Sequence, residues 1–368
     1  RGAAAVALVK RGDADDLAAA KKRLKDDDPD VRLRTALAVL TAARDKDAVP
    51  VLIGLLADLP QDKVWQAEEM LTFLAGDKAP SVSVTGDAEA RNKARDLWAK
   101  WWADNNASVD LAKMDLNGGR ELGYLLVTEM NGLGKPTGRV LELDAGGKVR
   151  WEIDGLMGPQ DAQVTSGNRV VIVDNNGLRV CERETTGEKK VLWEQNVPNA
   201  FHVQRLANGH TFVACRNSLM EFDRAGKEVL NLQRPNEWLM DAEKTRDGQI
   251  VMLNNQGVYT RLDANGKEVK TFRAPFNPQF GVNGAQVLPN DHVLIASWNA
   301  GKVSEYDADG KTVWDATVQQ ANNCYRLSNG HTLVSCQNMT HLVELDQSGK
   351  VVNDMKDLPY RPWRVSRR

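Results

Sequence analysis

Six side chains in the C-terminal two thirds of the chain carry the types that could do chemistry: Asp161, His202, Arg216, Asp241, Trp298 and Arg361. An imidazole near carboxylates can take or give a proton around neutral pH. Guanidinium groups such as Arg216 and Arg361 hold carboxylates or other anions through paired N–H donors. An indole supplies an apolar stacking face. Together they would bind a small polar ligand, or one charged side chain of a partner, around His202. They stand out because they interrupt a repeat. At comparable places the chain repeats Asn: Asn131, Asn175, Asn217, Asn255, Asn299 and Asn338. Those Asn residues are explained as strand-end caps, since Asn tolerates left-handed turns and bonds its own backbone.

No catalytic residue is assigned. A hydrolytic triad needs a nucleophile, a base and an orienting group in mutual reach, and no distinctive Ser or Cys elbow accompanies His202. The four cysteines, Cys181, Cys215, Cys324 and Cys336, form no CxxC pair, which excludes zinc-ribbon and thioredoxin-like readings. They read as buried free thiols. The run DNNG at Asp174 to Gly177 matches only a fragment of a calcium loop and reads as a turn. No metal and no cofactor is expected. His210, His292 and His331 each follow a turn at equivalent positions, so they read as turn chemistry rather than catalysis.

The elements that must position these residues follow from a repeat. Gly147, Gly187, Gly226, Gly266, Gly310 and Gly349 close DAGG, ETTG, DRAG, DANG, DADG and DQSG. A β-prone run precedes each turn and another follows it. Such a unit, recurring about every forty residues with four short strands, is the signature of a β-propeller. Inner strands are expected to begin near Asp161, His202, Asp241, Gly284, Asn323 and Pro362. Second strands are expected near Leu122, Arg169, His210, Gln249, His292 and His331. The first second-strand precedes the first inner strand. Six blades therefore require YRPWRVSRR at the C-terminus to pair with ELGYLLVTE at residues 121–129.

Residues 1–110 are different. They are rich in Ala and Leu with helical periodicity, which predicts three helix pairs. Val31, Leu33, Leu37 and Leu40 share one stripe, as do Val49, Leu52, Ile53 and Leu56. The last helix carries Trp98, Trp101 and Trp102, expected to dock the helices onto the β domain. The domain reading is thus 1–110 helical and 111–368 β, with residues 106–121 as linker.

The run DPDVRLRTALAVLTAARDKDAVPVLIGLLADL resembles a HEAT-type repeat of the bacterial PBS-lyase-like kind, which implies a stacked α-solenoid. VQRLANGHTFVACRNSLMEFDRAGKEV and YRLSNGHTLVSCQNMTHLVELDQSGKVV resemble PQQ-like and arylsulfotransferase-like propeller repeats. The whole order resembles a bacterial family that fuses the two. The resemblance implies the fold and no particular activity, because propellers host many.

The 368 residues carry 48 basic against 50 acidic side chains, so the electrostatic case for nucleic acid is missing. No apolar run has membrane-spanning length. The chain begins with Arg rather than Met, which fits a removed signal peptide or a boundary, and a periplasmic or extracellular location is expected. The functional expectation is a non-catalytic interaction scaffold with a protein partner. The alternative is an enzyme, arylsulfotransferase-like or lyase-like, or a small-polar-ligand binder using the channel mouth.

Overall fold

In a computed structural model the described residues are all except 61–62, 81, 83, 85–86, 115–122, 132–135, 145, 166–167, 207, 246–247, 275–283, 289–290, 328, 337–339 and 368. Expectations placed on Leu122, on Asn338 and on residues 115–121 of the linker fall outside them. The chain divides into two compact units, a helical one containing residues 1–122 and a β one containing the bulk of residues 123–368.

The helical unit holds six α-helices among its described residues: α1 Gly2–Arg11, α2 Ala14–Lys21, α3 Pro29–Ala42, α4 Ala48–Asp58, α5 Val64–Ala75 and α6 Ala88–Asn105. Local signals set their starts. Asp28 accepts from Asp30 N with Pro29 in the first turn, and Asp87 accepts from Ala90 N, satisfying amides that have no helical partner. Arg91 on α6 donates to the carbonyls of Leu56, Ala57 and Leu59 at the end of α4. Leu33, Val39 and Leu40 on α3 pack with Leu52, Leu55 and Leu56 on α4. Trp98 and Trp101 are buried in this same helical core, edge to face at 5.5 Å, and Trp102 packs against it. The α6 helix that carries them packs on α4. Trp98 and Trp101 thus belong to the helical unit's own core.

The β unit is a six-bladed propeller of four-stranded antiparallel sheets. Blade 1 contains β1 Leu125–Glu129, β2 Gly138–Leu143 and β3 Val149–Leu156. Blade 2 is β4 Pro159–Thr165, β5 Arg169–Asp174, β6 Arg179–Glu184 and β7 Val191–Asn196. Blade 3 is β8 Ala200–Arg205, β9 Thr211–Cys215, β10 Ser218–Phe222 and β11 Glu228–Gln233. Blade 4 is β12 Leu239–Lys244, β13 Ile250–Asn254, β14 Val258–Leu262 and β15 Glu268–Arg273. Blade 5 is β16 Gly284–Val287, β17 Val293–Ser297, β18 Lys302–Tyr306 and β19 Thr312–Thr317. Blade 6 is β20 Ala321–Arg326, β21 Thr332–Cys336, β22 His341–Leu345 and β23 Val351–Met355. The last strand, β24 Arg364–Arg367, pairs with β1 in blade 1, Thr128 opposite Arg364 and Leu125 opposite Arg367. Each blade packs on the next, and β20 and β21 pack against β24.

The turn that repeats has a clear cause. In five blades an Asp side chain accepts two backbone amides of its own turn: Lys148, Lys227, Lys267, Lys311 and Lys350 each donate to the Asp four residues earlier. The third turn position has positive φ, 79° to 85° in these five, which glycine alone adopts freely. Buried apolar side chains of successive sheets interleave, as Val171 and Val173 of blade 2 do with Val203 and Val213 of blade 3.

Candidate functional site

Inner strands β4, β8, β12 and β20 share a defect at their start. Pro159 and Asp161 pair with consecutive residues of β5, so Gln160 is a bulge, and Phe201, Met240 and Asn322 are the equivalent bulges. A bulge re-aims the side chain that follows it. Here the residues that follow are Asp161, His202, Asp241 and Asn323. Pairing places Gly284 and Arg364 at the same level, opposite Ala296 and Thr128. One tier of the channel therefore reads Arg364, Asp161, His202, Asp241, Gly284, Asn323 around the ring. Two residues along each strand lies a second tier: Ser366, Gln163, Gln204, Glu243, Gln286 and Tyr325. Gly284 is required because a Cβ there would stand 2.6 Å from the Asn322 carbonyl oxygen.

These tiers line a cavity of about 290 Å³. Arg364 crosses it. Its Nε stands 3.5 Å from Asp161 Oδ1 on the adjacent blade, and its Nη2 lies 3.3 Å from Asp241 Oδ1. Asp241 sits three blades away in either direction, so the guanidinium spans the channel. The second carboxylate oxygens work between blades: Asp161 Oδ2 accepts from Val203 N and Asp241 Oδ2 from Val287 N, each at 3.1 Å. Gln163, Gln204 and Gln286 likewise accept from Arg205, Lys244 and Arg326 N of the following blade. Burial works against the charge of Asp161, but Arg364 and then His202 outweigh it and hold the carboxyl below its usual range. Burial also opposes the Arg364 charge, and the two carboxylates keep it above the ordinary guanidinium value.

His202 Nδ1 lies 2.8 Å from Asp161 Oδ2. The approach is close but off-line, since neither imidazole nitrogen makes an aligned hydrogen bond although both are buried. Cys324 lies alongside, its thiol pushed up to about 12, chiefly by burial.

The structure thus brings together Asp161, His202 and Asp241 from the sequence-based set, and leaves three others outside the cavity. Arg216, between β9 and β10, lies over the rings of Phe201 (4.6 Å) and Trp238 (5.5 Å) and donates to Leu239 O. Arg361 is exposed, and its backbone amide donates to Glu129 Oε1. Trp298 is half-buried beyond the end of β17. The cation in the cavity is Arg364, three residues past Arg361. Its lining counts Asp161, Asp241 and Glu243 against Arg364, so the cavity does not have the anion-holding character expected of Arg216 and Arg361. Arg364 is the blade 1 counterpart of Asp161 and Asp241, a register that the pairing of β24 with β1 fixes.

At the other ends of the inner strands, His210, His292 and His331 pair with Glu221, Glu305 and Glu344 of their own blades. The same glutamates meet Lys244, Arg326 and Arg367 of the next blade. The glutamates link the blades, and each histidine pairs with its glutamate within one blade. Among the described residues no group of three or more His, Cys, Asp or Glu gathers as a metal site, and no helix is long and apolar enough to cross a membrane.

No protein-family model matches the chain, and no curated protein matches it. Solved structures do. A protein of unknown function from Bacteroides caccae is 15% identical, with a TM-score of 0.42 over 64% of this chain and 73% of that one. Virginiamycin B lyase from Staphylococcus aureus is 12% identical, with a TM-score of 0.46 over 59% and 77%. The WD40 propeller domain of Doa1 is 14% identical, with a TM-score of 0.48 over 63% and 78%. At such identities and scores, the six-bladed assignment stands on the sheets themselves, and no activity passes from these proteins to this chain.

Proposed function

We propose that this protein is a non-catalytic interaction module that presents its propeller to a partner or ligand. The observation that carries this reading is the Arg364 tie. The cavity's guanidinium is neutralised across the channel by Asp161 and Asp241, and both carboxylates also cap the next blade's amides. Groups held in this way brace the ring and leave little to act on a substrate. The Cys324 thiol, at about 12, is no thiolate nucleophile at neutral pH. In this reading the helices stack as a HEAT-type solenoid, the β24–β1 pairing completes the ring, and both repeat arrays offer broad surfaces.

A second reading has one specific observation in its favour. His202 set against Asp161 is an acid–base element oriented by a carboxylate, as an enzyme or polar-ligand site at the channel would need. Native mass spectrometry of the isolated protein separates the two. A module co-isolates with a partner or ligand that is released unchanged in mass. A released molecule that has been chemically altered by the wild type, and not by His202→Gln, overturns the module reading.

A further inference from the structure

Among the described residues, Arg216 is a charge without a counter-charge. It is partly buried, yet among the described residues it has no carboxylate partner, and its recorded contacts are Leu239 O, Met240 Sδ and two aromatic faces. Other arginines of the propeller are paired: Arg139 with Glu129, Arg179 with Asp174, Arg205 with Glu182 and Arg326 with Glu305. The acid nearest its platform in sequence, Glu237, is held by Arg234 at 2.5 Å. A guanidinium withdrawn from water is costly unless it is paired, and burial, then the charge of Arg364, pulls this one down to about 10. Beside it Trp238 is 55% exposed, while Phe201 is buried. Arg216 follows the end of β9, Phe201 begins β8 and Trp238 precedes β12, so all three stand at the end of the ring where the inner strands start.

We infer that Arg216, flanked by Phe201 and Trp238 at the seam of blades 3 and 4, receives a carboxylate of an acidic peptide segment on a protein partner. A carboxylate completes the ion pair that the described residues do not supply. The rings fix the plane of the guanidinium so that it presents a paired donor edge. The open face of Trp238 packs the aliphatic stem of the incoming acid. The cavity itself has an acidic excess, so the peptide's negative charge is steered to this seam and away from the channel. The inference rests on the module reading above and names the chemistry of its partner.

The test is a titration of the full chain with a blocked oligoglutamate peptide, with oligoglutamine and oligolysine as controls, followed by calorimetry and by the arginine Nε–H resonances. Oligoglutamate is expected to bind in preference to both controls, to shift the Arg216 resonance, and to weaken as salt rises. Arg216→Gln should reduce its affinity roughly tenfold or more, the equivalent of about 1.4 kcal/mol. Trp238→Ala, at an exposed position that folding does not depend on, should also weaken it, which keeps the test valid if Arg216→Gln folds poorly. Equal binding of oligoglutamate and oligoglutamine, no binding of either, or an affinity unchanged in both variants overturns the inference. Those results leave the module reading intact if a partner still co-isolates unchanged, whereas turnover of a co-isolated molecule removes that reading without reference to Arg216.

Discussion

Replacing Arg364 with Met keeps the length of the side chain and removes the charge that spans the channel. The side chains of Arg364, Asp161 and Asp241 are 20%, 10% and 6% exposed, so this is a pair largely withdrawn from water. Removing one member of a buried pair costs about 3–5 kcal/mol, because the remaining charges are left uncompensated. Both carboxylates keep one backbone amide each, and the guanidinium is partly solvated, which places the expected loss near the lower figure, about 3 kcal/mol. For a domain of this size that corresponds to a fall of roughly 6–12 °C in melting temperature. Urea unfolding, followed by intrinsic fluorescence, reads it directly. Asp241→Asn should cost much less in the Arg364→Met background than alone, and the difference is the coupling across the channel. The pH dependence has a defined sign. The Asp161 carboxyl titrates below its ordinary value in the folded state, so its contribution is complete above the unfolded value and is lost as pH falls through the folded one. Arg364→Met removes the largest charge that lowers the folded value, so this acid loss should shrink. A loss of less than about 1 kcal/mol, typical of an exposed pair, with an unchanged acid limb refutes a structural tie.

Three other outcomes are expected. The thiols of Cys181, Cys215, Cys324 and Cys336 are buried and pushed up to about 11, 11, 12 and 11, so a thiol reagent at mildly alkaline pH should label none until denaturant is added, and stoichiometric native labelling would contradict this. Gly284→Ala forces a Cβ against the Asn322 carbonyl and Asn323 Cα and should cost about 1–3 kcal/mol, as overpacking does, with a neutral result ruling out the close approach. Truncation after Asp357 deletes β24 with Arg364 and the buried Tyr360 and Val365; calorimetry should show the propeller transition lost or strongly lowered while helical signal persists, and an unchanged melting curve would mean the last strand is dispensable.

The inner-strand starts were readable because a hairpin joins each to its second strand. Asp161, His202, Asp241 and Asn323 can be counted back from the following turn, and the bulges preserve their spacing. In blade 1 no hairpin joins β24 to β1, so nothing local fixes the register. Arg361 and Arg364 then look alike in YRPWRVSRR, and only the pairing with Thr128 separates them. Arg216 was legible as an exception to the repeat, but not its direction. The bulged Phe201 and the exposed Trp238, from two blades, draw it out of the cavity lining. Trp98, Trp101 and Trp102 were legible as an apolar excess, but which residues enclose them depends on how the helices pack, which composition alone does not measure.

Among the described residues, the inner-strand side chains that accept backbone amides of a neighbouring blade point the same way. Asp161 and Gln163 of blade 2 reach amides of blade 3, Gln204 of blade 3 an amide of blade 4, Asp241 of blade 4 an amide of blade 5, and Gln286 of blade 5 an amide of blade 6. The glutamates of β6, β10, β18 and β22 meet cations of the succeeding blade in the same sense. Each blade thus has a leading edge and a trailing edge, and neighbours fit in one sense around the ring. Although the six blades look interchangeable in outline, they form a sequence with a grammar. Drift at one inner strand is first felt as an orphaned amide one blade downstream, and that blade is where compensating changes should be sought.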